Sequence, residues 1–456
     1  METLSWLVNN FKEFGKDLAI ITQDKQYSYS ELFEKVTKLK KFLAQNQINQ
    51  GEVVAIVSDY SLESISLLLA LIENKNIIVP IASKVQSSVD EKIETAYCDK
   101  VITINEKEFF VRSLVFGDKH QMIQTLTQSQ SAGLILFSSG STGKPKAMIH
   151  NLNNMINQYK NKKNKSMNML LFLMFDHIGG LNTLFNILAI GATMIIPNSR
   201  DVDEVCGLIE KYKISILPSS PTFLNLILMS ESNKKYDLSS LRLITYGTEA
   251  MPESLLIRLK NSFPKAKFLQ TFGTSETGIA TTSSKSSNST FMKIETTDLE
   301  YKIVDNELWL KSKTQVLGYL NASMESFSDD GWFKTGDLVE ADSDGYLKII
   351  GRAKEIINVG GEKVLPCEVE SIILQMPEIL DCMVYGEKNA ITGESVVVDV
   401  VLRDNELSSS IKKLIRSYCK DKLDNYKIPT KAIIVERTNF GERFKKIRSN
   451  HASSTI

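Results

Sequence analysis

The stretch FSSGSTGKPKAMIH, Phe137 to His150, follows the apolar run Leu134 to Phe137 and crowds serines, threonines, glycines and lysines into a dozen residues. A strand that runs out into such residues lets backbone N–H groups turn around an anion, because glycine permits the backbone angles and close approach that a side chain blocks. Ser138, Ser139, Ser141 and Thr142 add hydroxyl donors, Gly140 and Gly143 add freedom, and Lys144 or Lys146 adds charge. The Walker pattern G-x-x-x-x-G-K-[ST] is excluded, since Pro145 follows Gly143–Lys144 and spoils the start of the usual helix. Composition alone leaves two readings open here, a serine-rich surface turn and a polyphosphate site.

Around this stretch, short β-branched runs alternate with helical ones. VVAIV (53–57), KVITI (100–104), LILF (134–137), ATMIIP (192–197), ISILP (214–218), RLIT (242–245) and KFLQT (267–271) read as strands. Pro252 to Asn261 reads as one of the helices between them. The alternation predicts an α/β fold with mostly parallel sheets flanked by helices. After about residue 300, KIVDNELWL and DSDGYLKIIGR predict hairpins of a β-rich subdomain. From Glu355 on, a short strand, a helix (Pro366 to Gln375), two strands, a helix (Ser408 to Lys422) and a last strand (KAIIV) predict a smaller α+β unit. The polar stretches 160–166 and 281–290 read as surface loops.

A chain of 456 residues implies two or more domains. Lys plus Arg and Asp plus Glu each number 54, so no net field draws it to nucleic acid or an anionic membrane. Five cysteines without a C-x-x-C pair fit packing residues in a reducing compartment. The N-terminus reads as a first helix rather than a secretory signal, and SISLLLALI and LLFLMF are of core rather than membrane-spanning length. These features predict a cytoplasmic protein without membrane insertion.

The opening stretch resembles the T-S-G-[ST]-T-G-x-P-K-G phosphate loop of the adenylate-forming superfamily, which includes acyl-CoA synthetases, adenylation domains of peptide synthetases and beetle luciferases. Three further stretches resemble that family in its own order. They are QTFGTSETG (270–278), GWFKTGDL (331–338) and the hinge-like GRAKEIINVGGEKVLPCEVE (351–370). The resemblance implies a large N-terminal AMP-binding domain, residues 1–353, and a smaller mobile C-terminal domain, residues 354–456.

By that resemblance Thr142 and Lys146 would hold ATP phosphates, Thr274 would touch the α-phosphate, and Glu276 would carry Mg²⁺, a hard cation suited to a carboxylate and phosphate oxygens. Phe272 would lie along the adenine with Tyr246 on its other face, flanked by Gly273, Gly247 and Thr248; core packing is the plainer reading of each ring. Asp337 and Arg352 would bracket the ribose. Lys354 would be the hinge that carries the Gly360–Gly361 turn toward an incoming pantetheine, or else a solvated surface lysine.

FDHIGG (175–180) aligns two ways. His177 fits the carboxylate-pocket histidine of acyl- and aryl-CoA ligases and is favoured by Ile178 and the glycines. Asp176 fits the ammonium-holding aspartate of amino-acid adenylation domains, or caps the following helix. His150 reads as structural, and His120 and His451 as surface residues. The pattern breaks at TNFGERFKK (438–446), where Glu442 stands in place of the family's catalytic lysine. Losing one such donor costs about 3 kcal/mol in the transition state. Arg443 or Lys445 is then the candidate replacement. Ala147 replaces a usual glycine.

The implied activity is ATP- and Mg²⁺-dependent activation of a small carboxylic acid as acyl-adenylate, with pyrophosphate release and transfer to coenzyme A. A carrier-protein phosphopantetheine is the rival acceptor, and Glu442 keeps open a nucleotide-binding pseudoenzyme.

Overall fold

The computed structural model describes residues 4–22, 25–138, 145–295, 297–404 and 410–448. They form two compact units. One comprises Met1–Pro218, Gly273–Ile279 and Lys311–Phe333; the other comprises Ser219–Phe272, Ala280–Leu310 and Lys334–Ile456.

In the first unit, the β-branched runs Val53–Val57, Ile77–Ile81, Lys100–Asn105 and Gly133–Ser138 lie parallel at the centre of one sheet. The connecting helix Leu62–Glu73 is buried through Ile72, its charged end alone left out, as expected of a helix packed on both sides. Antiparallel strands close both edges: Glu108–Ser113 on one, and Lys146–Asn151 followed by Gly318–Tyr319 on the other. A second set runs Lys25–Ser28, Leu18–Thr22, Thr193–Ile196, Asn168–Leu170, with Ile216 pairing Met169. The helix Tyr29–Gln45 begins at a capping box, Ser28 and Glu31 each satisfying the other's backbone N–H.

The second unit holds the parallel pair Leu243–Tyr246 and Lys267–Gln270 and an antiparallel sheet. In that sheet the hairpin Leu299–Val304, Glu307–Ser312 turns at Asp305 and Asn306, both at positive φ (50° and 64°), where short polar side chains are tolerated. The C-terminal sheet is built on the long hairpin Ile379–Asn389, Gly393–Leu402, with Ile357–Val359, Glu362–Val364 and Lys431–Ile434 beside it. The helices Pro366–Ile373 and Ile411–Cys419 cover a core of its own that includes Val369, Ile373, Val384, Val398 and Ile415.

Three local expectations are corrected. Residues 281–290 are not all loop: Thr282–Ser284 is a strand paired with Met292–Ile294. Pro252 caps the helix Glu253–Ser262 rather than opening it, because its ψ of 133° is extended. The predicted helix Ser408 to Lys422 spans Ile411–Cys419, and its first two residues lie outside the described segments. Among the described residues no helix is long and apolar enough to cross a membrane.

Candidate active site

Ser138 and Lys146 are the last paired residues of the two strands that flank the glycine-and-hydroxyl stretch. Ser139, Gly140, Ser141, Thr142, Gly143 and Lys144 lie outside the described residues. Asn321 fixes the exit of the stretch, accepting from Ala147 N at 2.8 Å and donating to the Pro145 carbonyl at 2.9 Å. The Ala147 methyl is fully buried with Ile135 and Phe137. It packs into core.

Tyr319 stands on the neighbouring strand and links two predicted residues. Its hydroxyl donates to Glu276 Oε1 at 3.1 Å, and Lys146 Nζ lies 5.3 Å from the centre of its ring. Burial and the Glu276 carboxylate both push the tyrosine hydroxyl up, so it remains a donor. The Glu276 carbonyl accepts from Val316 N, and Thr274 Oγ1 holds the turn by accepting from Thr277 N at 3.1 Å. Gly273 is required because a Cβ there would meet the Gly278 carbonyl at 2.5 Å. Sequence reasoning missed Tyr319 and Asn321.

The two alignments of FDHIGG part in the fold. His177 is the N-cap of the helix Ile178–Ile190, its Nδ1 accepting from Gly179 N at 3.3 Å. Asp176 is not the cap. It is buried, with Oδ2 3.4 Å from both Lys92 Nζ and Ala82 N. Its Oδ1 is buried without a hydrogen-bond partner among the described residues. Gly180 allows the helix to start against the preceding chain, since a Cβ would fall 2.0 Å from the Met174 carbonyl. The same helix lines a small pocket with Met155, Gln158, Tyr159, Ile279 and Thr314, and among the described residues no charged side chain borders it. His150 is fully buried, and neither ring nitrogen makes a hydrogen bond of full geometry. Burial lowers it to about 4, only partly offset by the backbone at Thr314 and Ser275. His120 is a half-buried helix cap rather than a surface residue, accepting from Met122 N, and His451 lies outside the described segments.

In the second unit, Asp337 and Arg352 are cross-strand partners, with Arg352 Nε 2.9 Å from Asp337 Oδ1. Gly336, at φ 71°, lies inside the strand Phe333–Ala341 just before the carboxylate rather than in a turn, and Thr335 Oγ1 accepts from Asp337 N. Burial raises the Asp337 pKa, and Arg352 followed by Lys445 opposes the rise. Tyr246 is buried with its hydroxyl unpartnered among the described residues, while Phe272 packs with Met292, Leu308 and Leu347. Between Tyr246 and Glu249, Gly247 has no room for a Cβ against Thr271, and Thr248 sits at φ 71°. Lys354 is exposed in a single helical turn, and Gly360 and Gly361, both at positive φ, make the hairpin turn between Ile357–Val359 and Glu362–Val364.

The tail Thr438 to Arg448 doubles back through the bridge between Phe440 and Lys446, with Phe444 at φ 49°. Ser220 Oγ donates to the Phe444 carbonyl at 2.7 Å, and the Phe444 ring lies 4.9 Å from that of Phe223. Lys446 pairs with Asp381 at 3.1 Å, and its backbone N–H donates to Glu249, which also accepts from Thr222. Glu442 is exposed and Arg443 half-buried.

In the first unit a strand pair frames the phosphate-loop-like sequence and a carboxylate and a lysine share one tyrosine; in the second an Asp–Arg pair is buried. The chain belongs to the AMP-binding enzyme family: residues 89–320 match the AMP-binding enzyme model, and residues 368–441 match the AMP-binding enzyme C-terminal domain. It is 26% identical to a 2-succinylbenzoate–CoA ligase of Bacillus licheniformis over 96% of this chain and 97% of that one. It is also 26% identical to 4-coumarate–CoA ligase-like 9 of Arabidopsis thaliana, over 92% and 83%. Two solved structures share its fold at a TM-score of 0.79 each. One is o-succinylbenzoate CoA synthetase from Bacillus subtilis with its acyl-adenylate intermediate, at 22% identity over 99% of this chain and 98% of that one. The other is the anthranilate CoA ligase AuaEII with anthranoyl-AMP, at 19% over 97% and 95%.

Proposed function

We propose that the chain activates a carboxylic acid as its acyl-adenylate and then transfers the acyl group to coenzyme A. In the first half-reaction the acid carboxylate attacks the α-phosphorus of ATP and pyrophosphate leaves. In the second, the thiol attacks the acyl carbon and AMP leaves. The observation that carries this reading is the placement of Glu276 and Lys146 on one tyrosine beside the exit of the glycine-and-hydroxyl stretch. A single carboxylate suits Mg²⁺, which takes few protein ligands and fills its shell from phosphates and water. Lys146, Thr142 and Thr274 complement charge on the phosphoryl oxygens. Asp337 accepts from the ribose hydroxyls, with Arg352 holding it ionised. Tyr246 and Phe272 flank the adenine by resemblance alone.

His177, at the head of the pocket-lining helix, faces the acid carboxylate in this reading. The mobile domain begins at Lys354, and its rotation brings the Gly360–Gly361 turn to the pantetheine arm. Coenzyme A is preferred as acceptor because the relatives matched over nearly their whole length are named CoA ligases. Purified protein with ATP, Mg²⁺ and a panel of acetate, octanoate, benzoate, 2-succinylbenzoate and amino acids, read by pyrophosphate release, tests the first step. Thioester mass with free CoA or a carrier-bound pantetheine tests the acceptor. Absence of ATP uptake in the presence of Mg²⁺ would overturn the reading.

A further inference from the structure

The strand Glu108–Ser113 ends the parallel sheet of the first unit, and among the described residues no strand pairs with its outer side. Edge strands are ordinarily blunted by a proline, a bulge or like charges, because their open backbone invites another strand. This one has no proline, and it pairs with Lys100–Asn105 without a break in register. Its charged side chains, Glu108 and Arg112, are of opposite sign. Phe109 and Val111 pack against the core, which turns Glu108, Phe110 and Arg112 to the other face, where Phe110 is 51% exposed. Arg112 meets Asp90 at 3.8 Å, with both side chains more than half exposed. The hairpin closes by pairing Asn105 with Glu108, and just beyond its other end Leu114 N donates to the Asp99 carbonyl at 2.8 Å. Antiparallel ladders alternate, so Glu108, Phe110 and Arg112 turn their backbone groups toward Lys100–Asn105. Those of Phe109, Val111 and Ser113 point outward.

We propose that this edge docks a second copy of the chain, strand against antiparallel strand, about a two-fold axis through Phe110. A two-fold axis placed between residues would set an inward-turned backbone group against an outward-turned one and forfeit the ladder, so the axis passes through a residue. Among such centres, Phe110 sets Glu108 against Arg112, and the symmetry makes that pair twice. Phe109 of each copy then exchanges backbone hydrogen bonds with Val111 of the other. Phe110 faces its own mate at a non-hydrogen-bonded position, where cross-strand side chains come closest. A shift of the centre to Phe109 or Val111 sets the ring against Glu108 or Arg112. A shift to Glu108 or Arg112 sets like charges together. The charge pattern of the strand therefore selects both the partner, a second copy, and the register.

Sedimentation of the full chain at micromolar concentration is expected to show a dimer. Glu108→Arg and Arg112→Glu each bring like charges together at both symmetry-related positions, and each should raise the dimer dissociation constant about tenfold or more. An equimolar mixture of the two variants should restore dimers, because in the mixed pair every arginine faces a glutamate. That recovery separates lost docking from lost folding. Phe110→Cys should cross-link to its own mate under copper–phenanthroline oxidation, whereas Glu108→Cys, opposite Arg112, should not; the native cysteines are buried or half-buried. A wild type that stays monomeric throughout the concentration range overturns the proposal. A dimer indifferent to both charge variants overturns it too, since its interface then lies on another face. A mixture no more dimeric than its components refutes the register.

Discussion

Arg352 reaches Asp337 across two antiparallel strands, guanidinium Nε to carboxylate Oδ1 at 2.9 Å, in a place where the carboxylate is almost wholly shielded from water. Burial raises the Asp337 pKa and the arginine opposes that rise, favouring the ionised carboxylate.

In the proposed function Asp337 accepts from the ribose hydroxyls, so removing its carboxylate is expected to weaken nucleotide binding. Asp337→Ala should raise the Kd for ATP about tenfold or more, the loss of one or two charge-assisted hydrogen bonds. Arg352→Ala should give a similar loss at pH 6 that is partly regained at pH 8. The sign follows from the raised pKa: without the arginine, a higher pH is needed to ionise Asp337. Calorimetry at the two pH values checks this, and full affinity in Asp337→Ala would remove it from the ribose site.

His150 makes the first unit acid-sensitive. Unfolded, it titrates near 6.5; folded, near 4, because its buried ring cannot take up charge cheaply. Between these values the unfolded chain binds a proton that the native one does not, so stability falls as pH drops from 6.5 toward 4. The loss is about 2–3 kcal/mol by pH 4.5. His150→Leu should shrink the difference in urea unfolding free energy between pH 7.5 and 4.5 by that amount. An unchanged difference would mean that the ring is charged in the fold.

How far all this could be read from the sequence differs by residue. The alternation of Val- and Ile-rich runs with helices announces the parallel sheets, because a strand buried on both faces needs β-branched side chains throughout. Asp337 and Arg352 were named from local motifs, but the reason they meet is strand register, which no local motif contains. Tyr319 and Asn321 were invisible for the same reason. They reach Glu276 and the chain at Pro145–Ala147 only because Gly318–Tyr319 pairs with Lys146–Asn151 from about 170 residues away. FDHIGG was ambiguous because it fits two family registers one residue apart; His177 is the helix cap, while Asp176 meets Lys92 and Ala82, which lie far from it in sequence.

The tail is locked to the helix Pro366–Ile373 by a buried ion pair. Arg448 Nη2 meets both Glu370 oxygens at 2.9 and 3.0 Å, while Nη1 reaches Glu355 at 3.1 Å. Arg448→Met leaves Glu370 with the Val384 N–H but without its countercharge. It should destabilise the unit by about 3–5 kcal/mol. Arg448→Met combined with Glu370→Leu should recover much of this, since an apolar pair of similar volume avoids the unpaired charge. Guanidinium unfolding of wild type and the two variants distinguishes the cases; equal losses in single and double variants would mean that the pair acts through packing alone.

Asn321 sits where the phosphate-loop sequence returns to its strand, and its amide spans the return by taking the Ala147 N–H and giving to the Pro145 carbonyl. Its own side chain is exposed, so water replaces the lost partners in a variant and the stability cost should stay near 1 kcal/mol. The functional cost is expected to be larger, because a loosened return leaves Lys146 free to wander from the Tyr319 ring. Asn321→Ala should raise the KM for ATP about 5- to 10-fold while shifting the Tm by only a few degrees. Asn321→Asp keeps the acceptor for Ala147 and loses the donor to Pro145, so it should fall between wild type and alanine. Steady-state pyrophosphate release against ATP concentration measures all three, and an alanine variant with unaltered KM would mean that the strand pairing of Ser138 with Lys146 holds the return without help.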